Sequence, residues 1–274
     1  MNFSPKPKVA IVGVGLIGAS FGLALRKAGI PCEIAGVSSG RSLEAGLARG
    51  AIDRGMVLEE AAQWADLLFL AQPISGIIET LRRLESVVNP DALVTDAGST
   101  KRAICEAATK YLTRCAFLGG HPMAGKESRG AEVADGDLFR GRPWILTGEP
   151  NHPMARLLRD CIARFGARQI TLDAAEHDRL VAWSSHLPQL ASTALASVLH
   201  DGAPNAALVA GPGLLDSTRL AMSSFDLWRD ILATNRDEID RALDALIERL
   251  TAMRADPEPD FQTGGDFARS LRRA

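Results

Sequence analysis

The sequence predicts an α/β protein: a doubly wound parallel-sheet domain followed by an all-helical C-terminal domain. Three observations carry that prediction. Short apolar runs alternate with helix-period segments through the first two-thirds of the chain. A glycine-rich turn closes the first of those runs. Beyond about Asp173 the runs give way to long Ala- and Leu-rich helical stretches. Right-handed crossovers would then place the strands in one sheet with helices on both faces.

Taken in order, Val9–Val12 is an apolar run ending at Gly13, the pattern of a strand buried on both sides. Leu16–Ala28 has helical periodicity and stops at Gly29, and Ile34–Val37 is a second strand. Leu67–Ala71, Leu93–Thr95, Ala116–Leu118 and Trp144–Leu146 read as further strands, with helices around Ile77–Val88 and Lys101–Tyr111 between them. Ile170–Leu172 is the last strand-like run. Ala174–Leu199 is a long helical stretch interrupted by Pro188, and Phe225–Met253 is another. The expected division is a dinucleotide-binding sheet domain over 1–172, a helical substrate and dimerisation domain over 173–254, and a polar tail over 255–274. The Pro, Gly and charge content of that tail predicts partial disorder. The helical half is apolar on more than one face, so a homodimer through it is expected. Packing on its own sheet domain alone is the alternative.

Composition narrows the partners. The 274 residues carry 31 Lys+Arg against 33 Asp+Glu, a net charge of −2. Near-neutrality argues against nucleic acid, which attracts a basic surplus. Cys32, Cys105, Cys115 and Cys161 are widely spaced, so no disulfide framework is expected, and no ligand cluster suggests a metal. The N-terminal residues lack a signal-peptide pattern. The densest apolar stretch, Ala65–Ala71, falls far short of the roughly 20 residues of a membrane helix. A cytoplasmic protein with no membrane partner is expected. Only 6 of the basic residues are lysines, the last being Lys126, so the C-terminal half holds no lysine base.

Gly13-Val14-Gly15-Leu16-Ile17-Gly18 is a G-x-G-x-x-G after a strand and at the opening of a helix. Gly13 allows the tight turn, Gly15 lets backbone approach a pyrophosphate, and Gly18 lets helix and strand pack closely. The helix opening at Leu16 and Ile17 supplies N–H donors and its dipole. This Rossmann-like arrangement predicts a dinucleotide cofactor. At the end of the second strand an NAD enzyme usually carries Asp or Glu for the ribose 2′-OH. Here the chain reads Val37-Ser38-Ser39-Gly40-Arg41. Ser38 and Ser39 can donate to a 2′-phosphate and Arg41 can pair with it, which favours NADP over NAD. The other reading is a solvated Arg41 and NAD bound without its usual acid.

His121, in Gly119-Gly120-His121-Pro122-Met123-Ala124-Gly125, follows a strand, where a side chain points toward a nicotinamide crevice. Glu176-His177-Asp178, Ser185-His186-Leu187-Pro188 and Asp216-Ser217-Thr218-Arg219 add histidines and an anion-binding arginine. Together with Asp96-Ala-Gly-Ser99-Thr-Lys101 and the glycine turn, these segments resemble the prephenate/arogenate (cyclohexadienyl) dehydrogenase family of tyrosine biosynthesis. The resemblance covers residues 8 to about 235.

It implies a nicotinamide-dependent oxidative decarboxylation of a small diacid, prephenate, with arogenate as the alternative. It further implies that His121 takes the proton of the ring hydroxyl. Ser99 would bond near that hydroxyl and help orient His121, and it also stands where it could cap the helix near Lys101. By the same resemblance Arg219 holds a substrate carboxylate, His186 contacts substrate, and Glu127 joins the polar network at the cleft mouth. His177 reads as structural. Two positions depart from the pattern: Leu215 stands where a second arginine is often found, and Gln189 where some relatives have histidine. From its length, no fused regulatory or mutase domain is expected. Lysine-based hydroxyacid or imine dehydrogenases, and a silent nucleotide sensor, are the rival readings.

Overall fold

The computed structural model describes residues 6–273. The sheet half runs β1 Lys8–Val12, α1 Leu16–Lys27, β2 Glu33–Val37, α2 Gly40–Ala48, β3 Arg54–Gly55, α3 Leu58–Trp64 and β4 Leu67–Leu70. It continues with α4 Ile74–Leu84, β5 Leu93–Asp96, α5 Arg102–Tyr111, β6 Ala116–Pro122, β7 Pro143–Thr147, α6 Pro153–Arg164 and β8 Arg168–Thr171. The helical half comprises α7 Ala174–Val181, α8 Leu187–Gly202, α9 Pro212–Thr218, α10 Phe225–Thr234, α11 Arg236–Met253 and α12 Glu258–Leu271.

The strands form one sheet in the order β3-β2-β1-β4-β5-β6-β7-β8. The order reverses between β1 and β4, the switch point where α/β sheets open a ligand crevice. The fold is the Rossmann-like doubly wound sheet that the strand–helix alternation predicts, with one antiparallel pairing, β6 with β7. Between those strands lies a single 3-10 turn, Ala131–Val133, and no crossover helix to carry the chain back for a parallel return. Strands such as β4, Leu-Leu-Phe-Leu, are buried throughout because helices cover both faces. On one face Phe21 of α1 stacks on Phe69 of β4 at 4.1 Å between centroids, with Trp144, Phe139 and Phe165 around them. On the other, Ile77, Leu81 and Leu84 of α4 pack with Val94 and Ile104.

The chain separates into two compact units that interleave in sequence. One runs to Asp178 and includes Ser223–Thr234; the other is Arg179–Met222 with the residues from Asn235 onward. The single division expected near residue 172 does not anticipate this. The stretch Phe225–Met253, read as one helix, breaks at Asn235 into α10 and α11. α10 joins the sheet unit through three links: Asp230 accepts the Ser75 N–H at 2.8 Å, the Thr100 and Thr234 hydroxyls bond at 2.7 Å, and Ile231 is buried among α4 residues. Helical periodicity locates an apolar face but does not say what covers it.

Ala174–Leu199 also divides. α7 passes into a π-turn at Ala182–His186, and α8 begins with Pro188 in its first turn. The wider turn accommodates a proline that cannot donate in an α-helical ladder. The expectation of a disordered tail is corrected, because α12 occupies Glu258–Leu271. Proline at its start and Glu258 and Asp260 in its first turn suit a helix N-terminus, and Arg249 of α11 holds Asp260 at 2.9 Å. Gly264 and Gly265 thus lie on a helix anchored to α11. Residues 1–5 of the N-terminal reading and residue 274 of the tail lie outside the described residues. No described helix is long and apolar enough to cross a membrane.

Candidate active site

The glycine turn sits at the switch point. Gly13 has φ +98, its N–H donates to Val37 O at 2.8 Å, and a Cβ there would lie 2.6 Å from Ala71 O. A Cβ on Gly18 would lie 2.1 Å from Gly13 O, so the helix can approach the turn this closely only with glycine at 18. Gly15 differs: a Cβ there would meet nothing within 4 Å. Protein packing does not require glycine at Gly15, whereas a pyrophosphate approaching the backbone would. Gly15 also caps α1 and, having no side chain, leaves the first amides at Leu16 and Ile17 without a side-chain cap from the N-cap position. The residues therefore fit a dinucleotide.

Beyond β2, Ser38 is half-buried and Ser39 is the N-cap of α2, its hydroxyl 3.2 Å from that of Ser42. The Arg41 side chain is 91% exposed, with Glu132 Oε1 3.9 Å from its Nε. No carboxylate stands within 38–41. Glu132 arrives instead from the 3-10 turn after β6, a neighbour that sequence spacing could not reveal.

The candidate chemical centre is built on β5, β6 and α7. His121 lies on β6, paired opposite Ile145 of β7, and is buried. Its Nδ1 lies 2.8 Å from Nε2 of His177, and the Nδ1 of His177 lies 2.7 Å from Oδ1 of Asp178. His177 and Asp178 are fully buried. Asp178 also accepts the backbone N–H groups of Lys101 at 2.6 Å and Arg102 at 3.0 Å, which open α5. Capping of that helix, a role open to Ser99 in the sequence reading, thus comes from Asp178.

A second buried pair sits below. The Lys101 ammonium bonds to Asp96 Oδ2 and donates to Gly120 O at 2.7 Å. Asp96 accepts the N–H groups of Gly98 at 2.8 Å and Gly120 at 3.0 Å. The loop after β5 and the residue preceding His121 are thereby held to one ion pair. Burial drives the pKa of His177 down, the bond to Asp178 opposing it. For Asp178 burial acts against the charge, but bonds from His177, Arg102 and Lys101 outweigh it and hold the carboxyl below its ordinary range. The stable pair is neutral imidazole beside carboxylate.

The other expected residues are placed as follows. Ser99 is half-buried in the loop between Asp96 and Lys101 and makes no hydrogen bond to His121 among the described residues. His121 Nδ1 bonds instead to His177, a residue whose sequence context reads as structural. Glu127 is exposed on the loop after β6. His186 and Arg219 belong to the helical unit. His186 is buried at the end of the π-turn, its Nδ1 3.3 Å from the amide nitrogen of Asn235, and Arg219 is exposed after α9. Nearby, Gln189 donates to Leu220 O at 2.7 Å, tying the segment after Arg219 to α8.

Two family models cover the chain: "Prephenate dehydrogenase, nucleotide-binding domain" over residues 21–171 and "Prephenate dehydrogenase, dimerization domain" over 173–260. The chain belongs to the prephenate dehydrogenase family. A prephenate dehydrogenase of Lactococcus lactis is 37% identical over 234 residues, 83% of this chain and 65% of that protein. The match therefore spans just under two-thirds of that relative's length. The crystal structure of Aquifex aeolicus prephenate dehydrogenase in complex with hydroxyphenyl propionate and NAD+ superposes with TM-score 0.84. Identity there is 26%, covering 99% of this chain and 97% of that one. Synechocystis arogenate dehydrogenase gives TM-score 0.79 at 30% identity, covering 97% of this chain and 99% of that one.

Proposed function

We propose that this chain catalyses the oxidative decarboxylation of prephenate to 4-hydroxyphenylpyruvate, using NADP in preference to NAD. The observation that carries the reading is a buried histidine, His121, at the end of β6 in the same unit as the Gly13–Gly18 turn. The family membership supports the dehydrogenase reading, and the NAD+ complex of the Aquifex relative supports a nicotinamide cofactor; the choice of NADP rests on Ser38, Ser39 and Arg41.

When bound, the nicotinamide supplies the acceptor for hydride from ring C4. The turn Gly13–Gly18, with the amides at Leu16 and Ile17, would hold the pyrophosphate, and Ser38, Ser39 and Arg41 the 2′-phosphate. His121 takes the proton of the C4 hydroxyl as positive charge develops there. The reaction releases CO2 and hydride but no net proton, so His121 returns that proton to the phenolate as the ring becomes aromatic. Arg219 would hold the ring carboxylate until it departs, and His186 would contact substrate. Ser99 would hydrogen-bond near the C4 hydroxyl, and Glu127 would join the polar network at the mouth. Aromatisation supplies the driving force, so these groups chiefly orient the ring and exclude water.

The same proposal includes a homodimer through the helical unit and a cytoplasmic setting that keeps the four thiols reduced. The likeness to Synechocystis arogenate dehydrogenase favours arogenate as the second reading. Steady-state turnover of both substrates, each with NAD and NADP, tests the whole: prephenate with NADP should give the highest kcat/KM. Preference for arogenate would transfer the assignment, and a clear preference for NAD would remove the cofactor reading.

A further inference from the structure

His121, His177 and Asp178 form a line of donors and acceptors whose direction is fixed at one end. Both Asp178 oxygens accept backbone N–H groups, from Lys101 and Arg102, and Arg102 Nε stands 3.7 Å from Oδ2. A carboxylate so placed can only accept, so His177 Nδ1 must carry the proton it shares with Oδ1 at 2.7 Å. A neutral His177 then offers a lone pair at Nε2, and His121, 2.8 Å away, must donate from Nδ1. In neutral His121 the remaining lone pair is on Nε2.

We infer that His177 and Asp178 are positioning residues that hold His121 in its Nδ1–H tautomer, present Nε2 as the base, and stabilise the imidazolium it becomes. The inference rests on the reading of His121 as the base. Only one proton moves: it passes from the substrate hydroxyl to His121 Nε2 and back, while the Nδ1–H of His121 remains a donor to His177. His177 polarises toward Asp178 without giving up its own proton. A wrong tautomer would turn a donor, not an acceptor, toward the hydroxyl.

The charged and titratable groups facing this line include Asp96 on β5, Lys101, Arg102 and Cys105 at the start of α5, and Asp178 itself. Of these, Lys101 is matched by Asp96, and Asp178 is the carboxylate bonded to His177, with Arg102 beside it.

The test compares His177→Gln with His177→Leu in the full-length protein. Gln can accept from His121 and donate to Asp178, keeping the direction of the line, whereas Leu removes it. His177→Gln should keep kcat within about tenfold, while His177→Leu should lose about a hundredfold or more with cofactor Kd unchanged. In His177→Leu the acid limb of kcat/KM should also move to lower pH, because the imidazolium loses its partner. Nitrogen-15 NMR of the ring should place the proton of neutral wild-type His121 on Nδ1, and this readout needs neither turnover nor a stable variant. A proton on Nε2, or equal activity in the Gln and Leu variants with an unmoved pH profile, would overturn the inference. Turnover retained in His121→Ala would instead strike the underlying reading, leaving the spectrum to decide the tautomer.

Discussion

Lys101 and Asp96 form an ion pair in which neither side chain has any solvent exposure. The pair also gathers the Gly98 and Gly120 backbone, so it braces both the loop after β5 and the approach to His121. Removing one member leaves a charge stranded in a medium that cannot solvate it. Lys101→Met should therefore cost about 3–5 kcal/mol. At about 2–4 °C per kcal/mol that is a Tm fall of roughly 6–20 °C. Combining it with Asp96→Asn should cost less than the two changes summed, measured by thermal unfolding.

Stability should fall with pH in a window set by His177. Burial first, with Asp178 opposing, leaves its native pKa below the ordinary value of 6.5. Below that value the unfolded chain binds a proton at His177 that the native protein does not. Stability is thus fully present above about 6.5 and declines as pH falls toward the native pKa. The depressed carboxyl of Asp178 acts in the same direction, but only below about pH 4. Tm measured from pH 7.5 to 5 should drop further in the wild type than in His177→Gln; parallel curves would remove the assignment.

Much of the fold was legible because buried parallel strands and glycine turns leave strong local patterns. Val9–Val12, Gly13–Gly18 and Leu67–Ala71 are where the apolar runs place them. The antiparallel return of β7 and the transfer of α10 to the sheet unit were not legible, since both depend on which surfaces meet. In the site, His121 was legible from its strand-end context. Its partner His177, 56 residues on, carried no marker beyond an adjacent acid. The capping of α5 by Asp178 was equally hidden, because Ser99 offers the nearer oxygen in sequence.

Cofactor choice should respond to two residues on different elements. Arg41→Ala should weaken NADPH binding about tenfold through loss of a charge-assisted pair, with NADH little changed. Glu132 faces Arg41 at 3.9 Å and competes with a 2′-phosphate for it, so Glu132→Gln should tighten NADPH binding. Fluorescence titration of both nucleotides checks each direction. Equal changes for NADH and NADPH would contradict the placement of the phosphate.

The helical unit presents large apolar side chains, with Leu208 and Val209 each 85% exposed and Phe261 and Phe267 also exposed. Patches of this kind on a stable protein mark association surfaces. If the dimer forms there, Leu208→Glu/Val209→Glu should shift the light-scattering mass toward that of one chain, about 29 kDa, whereas the unaltered protein should run at twice that. A variant that stays dimeric would exclude these two residues from the interface.

The most direct measurement is kcat of His121→Ala on prephenate with NADP, read beside NADPH affinity by titration. The expected result is a kcat loss of roughly 10²–10⁴ with cofactor Kd nearly unchanged. Turnover at the wild-type level would show that proton transfer at the ring hydroxyl does not pass through His121, and would contradict the mechanism at its centre.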